Sequence, residues 1–144
     1  LPGDLAERAA PHVLALGRIG CHRHLAPLMA LADFFVQPGE PDTFNNYRFP
    51  SKLPEFFATG RPVILPRTNI GTVARHGIDA FVVDHANAAG IADGVRRLRA
   101  DPALAATLAT GAAAFAREYF SWARSAAVLA DFYETVLPAT HPPT

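Results

Sequence analysis

Apolar positions along this chain fall in short continuous runs rather than in strict alternation. Four runs stand out, at residues 13–16, 34–36, 63–65 and 80–83. Three or four apolar residues closed by Gly, Pro or Asp have the length of a strand covered on both faces, and helical or polar segments separate the runs. Such strands alternating with helices predict an α/β fold: a Rossmann-like parallel sheet flanked by helices, with the four runs as adjacent strands. Early helices are expected over residues 24–32 and 52–59. For the second, Ser51 has N-cap chemistry, Pro54 fits the first turn, and Gly60-Arg61-Pro62 supplies the stop. From Asn87 onward the pattern is wholly helical. Ile91, Val95 and Leu98 share one stripe, and Asp101-Pro102 opens a helix with Leu104, Leu108 and Phe115 inward. Ser121 caps a last helix, where Trp122, Ala126, Leu129, Tyr133 and Val136 recur at helical spacing and predict an amphipathic cover. Pro2-Gly3-Asp4 and the alanine-rich turn after it carry no evident strand, and residues 138–144 read as a frayed tail.

The chain has 144 residues, 50% hydrophobic and 18% charged, which suits one domain with a buried core. Thirteen Lys and Arg balance thirteen Asp and Glu, so no broad field favours nucleic acid or an anionic membrane. The single cysteine, Cys21, cannot close an intramolecular disulfide, in keeping with a reducing, cytoplasmic setting. Cys21-His22-Arg23-His24 offers metal-ligand chemistry but lacks the second half of a zinc site, and no metal is expected. His76, His85 and His141 are dispersed, have no Ser or Cys partner for a nucleophilic triad, and read as surface residues. The cations of Val95-Arg96-Arg97-Leu98-Arg99 lie off the apolar stripe and read as a solvated face.

Candidate chemistry gathers after the second run. Ligands of open parallel sheets bind at the carboxyl ends of strands, and the polar segment from Glu40 to Phe49 is too long for a tight turn. It leads through Asn45-Asn46-Tyr47-Arg48-Phe49-Pro50-Ser51-Lys52 into the helix carrying Glu55. A helix start beside two cations suits an anion, and Glu55 one turn in can accept hydrogen bonds from vicinal hydroxyls. Phosphate beside a sugar hydroxyl pair describes a nucleotide. Equally, Ser51 can merely cap, Lys52 can be solvated and Glu55 can favour the helix dipole; local chemistry leaves both open.

The stretch from Arg48 to Ile64, with Pro50-Ser51-Lys52-Leu53, Glu55 and Ala58-Thr59-Gly60-Arg61-Pro62-Val63, resembles the nucleotide-sugar-binding segment of retaining glycosyltransferases of the GT-B fold, the family 4-like group. Gly17-Arg18-Ile19 is similar to that group's turn at the base, Ala32-Asp33-Phe34-Phe35-Val36-Gln37-Pro38 to the strand before its donor loop, and Trp122 to a residue of its closing helix. The likeness runs from His12 to Leu137. It implies that residues 1–137 form the C-terminal, donor-binding half of a GT-B fold lacking its first strand, in a longer protein whose N-terminal domain binds the acceptor. It implies a nucleotide-sugar partner, retaining transfer and no metal or other cofactor. By the resemblance Glu55 is the second acid of a Glu-x7-Glu motif and takes the ribose hydroxyls. Phe49, Pro50, Ser51 and Lys52 face the diphosphate with Arg48 nearby, and Arg18 and Ile19 flank the base. The first acid's position holds Tyr47 instead, a departure that leaves Asn45, Asn46, Tyr47 or Arg48 to meet the donor sugar. That departure keeps open a non-catalytic nucleotide-sugar-binding module, and the shared architecture keeps open a sugar-nucleotide epimerase of the same fold.

Overall fold

A computed structural model describes residues 10–137; the opening Pro2-Gly3-Asp4 turn, the 138–144 tail and His141 lie outside the described residues. The chain forms two compact units, one ending at Leu31 and the other starting at Ala32.

In the first unit a 3-10 turn, Ala10–His12, precedes helix α1, His22–Met29. The expected strand at residues 13–16 does not form, and these residues are exposed, Leu14 to 84%. An apolar run becomes a strand only where a neighbour takes its backbone N–H and C=O groups, and among the described residues this unit contains no strand to pair with. Helix α1 also starts and ends earlier than residues 24–32. It begins after Cys21, contains Pro27, which cannot donate a backbone hydrogen bond, and stops two residues later.

The second unit runs β1 (Phe35–Val36), α2 (Thr43–Tyr47), α3 (Leu53–Ala58), β2 (Val63–Pro66), a 3-10 turn (Asn69–Thr72), β3 (Phe81–Val83), α4 (Ala88–Ala100), α5 (Pro102–Tyr119) and α6 (Trp122–Val136). Three of the four expected strands form one parallel sheet in the order β1-β2-β3. Phe35 pairs with Val63, and Ile64 with Phe81. Ile64 of the central strand, Phe81, Leu98 of α4 and Leu108 of α5 make a buried cluster, with Phe34, Val36, Val83, Val95 and Leu104 packed against it. The expected inward stripes of α4 and α5 therefore meet the sheet. Elsewhere Phe35 stacks on Phe56 of α3 with ring centres 4.4 Å apart, and Phe57 of α3 is fully buried against Phe115 and Phe120.

Helix α6 forms where expected, and the hydroxyl of Ser121 accepts the Arg124 N–H as its cap. It is not a buried cover, however: none of its residues is buried, and Trp122 is 90% exposed. Helical spacing marks an apolar stripe without specifying what the stripe meets.

Just before β3 a polar anchor is built from Arg75 and Asp79. The buried Asp79 carboxylate accepts the Arg75 backbone N–H at 2.9 Å and two guanidinium N–H groups at 2.8 Å each. The hydrogen bonds from Arg75 hold the Asp79 carboxyl below its ordinary range, against the opposing pull of burial. A carboxyl depressed by folding contributes stability that is present above its unfolded pKa and is lost as pH falls through the folded one. Asp79→Asn is therefore expected to cost about 1.5 kcal/mol at neutral pH, the lower end for hydrogen bonds to a charged group. The difference from wild type should vanish in acid below the usual Asp range. Urea unfolding across that range checks this, and a cost unchanged by pH would contradict it.

Candidate functional site

Because all three strands run the same way, the segments that follow them emerge at one edge of the sheet. These segments are tied to one another. Gly39 and Ala86 exchange backbone hydrogen bonds of 3.3 and 3.1 Å in an antiparallel bridge linking the exits of β1 and β3. That bridge crosses close to the end of β2, where a Cβ on Gly39 would lie 3.4 Å from Pro66 Cγ. Glu40 Oε2 lies 2.6 Å from His85 Nδ1, and Arg67 Nε donates to Asp84 Oδ1 at 3.0 Å. From the exit of β2, Asn69 Nδ2 donates to the Asn46 carbonyl at 3.3 Å. Asn69 has φ +45°, the only positive φ at a non-glycine among the described residues. The turn that holds it folds tightly onto the strand end, since a Cβ on Gly71 would collide with the Pro66 carbonyl oxygen.

The polar segment 40–49 is not an open loop, because it contains the five-residue helix α2. Asp42 caps that helix, accepting the Asn45 N–H at 2.7 Å and Asn45 Nδ2 at 2.9 Å, one on each carboxylate oxygen. Both acids of the segment, Glu40 and Asp42, thus have partners inside the protein. Asn45 is half-buried, Asn46 is exposed, and Tyr47 is 84% exposed. The Arg48 guanidinium sits 5.0 Å from the centre of the Phe44 ring, a cation–π contact that restrains it.

Helix α3 is shorter than the expected 52–59 and is not capped by Ser51. Lys52 is the N-cap residue and already has helical backbone angles, so Ser51 falls one position too early, exposed in the preceding turn. The Leu53 N–H is given to the Pro50 carbonyl at 3.0 Å, which leaves fewer donors at the helix start than expected. Pro54 does occupy the first turn, and Gly60, at φ +65°, ends the helix as expected. Glu55 is half-buried in that first turn, while Leu53 and Phe57 on either side of it in sequence anchor the helix in the core. The Lys52 ammonium lies 5.7 Å from the Phe56 ring centre, alongside the same turn. Phe49 and Pro54 line a cleft of about 460 Å³ together with Asn69, Ile70, Tyr119, Phe120, Trp122 and Ser125.

The second unit therefore holds Asn45 to Lys52 and Glu55, and it adds Asn69, which the sequence did not single out, with Glu40 and His85, read there only as the start of a polar segment and as a surface residue. Their signal was positional: each lies within a few residues of the end of an apolar strand run, and parallel strands deliver such residues to one edge. Arg18 and Ile19 belong to the first unit, where Arg18 is exposed and Ile19 half-buried. Among the described residues no three His, Cys, Asp or Glu side chains gather as a metal site, and no helix is long and apolar enough to cross a membrane. Two cations and a half-buried carboxylate in one strand-exit segment suit an anionic ligand that also carries hydroxyls.

A parallel sheet flanked by helices, with polar segments collected at the carboxyl edge, is a Rossmann-like architecture, the one that each half of a GT-B fold shares. The chain belongs to the glycosyl transferases group 1 family, whose model matches residues 2–101. No curated protein sequence matches it. Among solved structures, HepE of Anabaena in complex with UDP-glucose is similar at TM-score 0.70 and 18% identity, over 92% of this chain and 36% of HepE. Sucrose-phosphate synthase from Thermosynechococcus elongatus gives TM-score 0.72 and 25% identity, over 92% of this chain and 33% of the synthase. The C-terminal domain of LpcC, a glycosyl transferase group 1 family protein from Francisella tularensis, gives 0.65 and 16%, over 83% of this chain and 60% of that one. The chain thus spans 36% and 33% of the lengths of HepE and the synthase.

Proposed function

We propose that this chain is the donor-binding half of a retaining hexosyltransferase working in the cytoplasm. It holds a nucleotide sugar while the bond from the anomeric carbon to the diphosphate breaks. A new bond then forms on the same face to an acceptor oxygen, whose proton leaves with the diphosphate. The acceptor is held by a separate domain. The family match carries this reading, because residues 2–101 include the whole strand-exit segment and Glu55. Glu55 takes the ribose hydroxyls, and Phe49, Pro50, Ser51 and Lys52, with Arg48, take the diphosphate. Asn45, Asn46 and Tyr47 face the sugar. Cationic side chains stabilise the departing diphosphate without a metal cofactor. HepE was solved with UDP and with UDP-glucose, which makes uridine nucleotides the first donors to test.

A second reading, a nucleotide-sugar-binding module without transfer activity, is favoured by Tyr47 standing exposed where the family carries an acid. Transfer of the sugar to any acceptor by the whole protein excludes it. For the donor reading itself, a panel of nucleoside diphosphates should raise the melting temperature, since a ligand that binds only the native state stabilises it. Lys52→Ala should weaken UDP binding a few-fold while leaving uridine binding unchanged, and added salt should shrink the difference. A panel that shifts nothing would overturn the donor reading, and equal losses for UDP and uridine would remove Lys52 from the diphosphate.

A further inference from the structure

We propose that His85 and Asn69 are positioning residues for the sugar half of the donor site, holding residues 40–47 in one arrangement from the ends of β3 and β2. The inference rests on the donor reading above, which sets Asn45, Asn46 and Tyr47 against the sugar. Those three residues lie in and around a helix of five residues, too short to be stable on its own. It is fastened at both ends. At its start, the Gly39–Ala86 bridge and the 2.6 Å Glu40–His85 contact join it to the exit of β3. At its end, Asn69 donates to the carbonyl of Asn46, from the exit of β2.

Asn69 carries a cost that its contact helps explain. With φ +45° it occupies the left-handed region, which glycine enters freely and other residues rarely do; asparagine is among the most tolerant of those. Glycine would suit that backbone better but has no amide to give Asn46. The Gly71 turn, which only a residue without a Cβ can make against Pro66, holds Asn69 at that point. His85 shares its cleft with Arg67, His76, Asp84, Asp93 and Arg97, yet its contact is to Glu40, across from another strand exit. Arg67 pairs with Asp84, and Arg97 with Asp93. The opposite charges in this cleft are thus matched among themselves, and the Glu40–His85 contact is the one that reaches segment 40–47.

A segment populated in its binding arrangement only part of the time binds more weakly by that fraction. Loosening 40–47 should therefore weaken contacts to the sugar while leaving Glu55, held separately by the core packing of α3, in place. Asn69→Gly is the preferred variant, since glycine accepts the same backbone angles and removes the side-chain amide. His85→Ala removes the Glu40 partner, and His85→Gln returns a donor.

The test titrates the whole protein with UDP-glucose and with UDP, using Glu55→Ala as reference. Asn69→Gly and His85→Ala should each raise the UDP-glucose Kd about 2- to 5-fold, the scale of one exposed polar contact. The UDP Kd should stay near wild type, and His85→Gln should recover part of the loss. A purely structural role would shift both ligands together. If Glu55→Ala weakens both ligands but Asn69→Gly and His85→Ala bind UDP-glucose like wild type, or lose UDP and UDP-glucose equally, the positioning role is wrong and the donor reading stands. If wild type binds neither ligand, the donor reading fails and the positioning role fails with it; if wild type binds both and Glu55→Ala changes nothing, only the ribose assignment fails, and Asn69→Gly and His85→Ala still decide the positioning role.

Discussion

Glu55→Ala is expected to weaken nucleotide binding by roughly 10- to 100-fold, or about 1.5–3 kcal/mol, the range for hydrogen bonds to a charged group. The carboxylate sits half-buried in the first turn of α3, and the buried neighbours Leu53 and Phe57 fix that helix to the core. With the helix backbone already fixed, only the Glu55 side chain has to be ordered when it accepts two ribose hydroxyls, so much of the bond energy appears in affinity. Glu55→Gln should lose less, because one amide oxygen still accepts. A nucleotide lacking both ribose hydroxyls is the control: wild type should bind it about as poorly as Glu55→Ala binds the natural ligand, and the variant should scarcely distinguish the two. Calorimetric titration of both ligands decides the matter. If folded Glu55→Ala binds both nucleotides as wild type does, the carboxylate serves only the helix, and the ribose assignment is wrong.

The sheet was legible because three continuous apolar runs became three parallel strands, and continuity is what burial on both faces demands. Residues 13–16 carry the same signal and form no strand. Apolar character shows that a segment tolerates burial, whereas strand formation needs a neighbour that local sequence does not name. Helix boundaries depended on single residues. Ser51 has the right chemistry for a cap, but the turn closed by the Pro50 carbonyl moves the helix start past it to Lys52. Helix α2 was hidden for another reason: five residues show no period, and the Asp42 cap was its only local sign. Glu55, Lys52 and Asn45 to Arg48 could be singled out because they share one stretch of chain. His85 and Asn69 act on that stretch from 45 and 23 residues beyond their partners, so only the fold brings them to it.

Phe57→Ala should be the most destabilising single change in the second unit, costing about 3–5 kcal/mol, the range for truncating a fully buried aromatic. Phe57 is 0% exposed and joins α3 to α5, its ring 5.0 Å from Phe115 and 5.8 Å from Phe120. Phe56 beside it stacks on Phe35 of β1, so the two successive rings fasten the Glu55 helix to both the sheet and α5. With total stabilities of about 5–15 kcal/mol for native proteins, a loss of that size takes a large share of what holds the fold. The urea midpoint should fall sharply with the m-value unchanged, which is how lost stability differs from a changed denatured state. Phe57→Leu refills much of the space and should cost less than half as much. It also separates support from chemistry: at temperatures where Phe57→Leu is fully folded, any loss of UDP affinity reports a displaced α3 rather than a missing contact, since Phe57 itself is sealed from ligand. A Phe57→Ala unfolding free energy within about 1 kcal/mol of wild type would show that α3, and the Glu55 carboxylate with it, is held by something other than this aromatic packing.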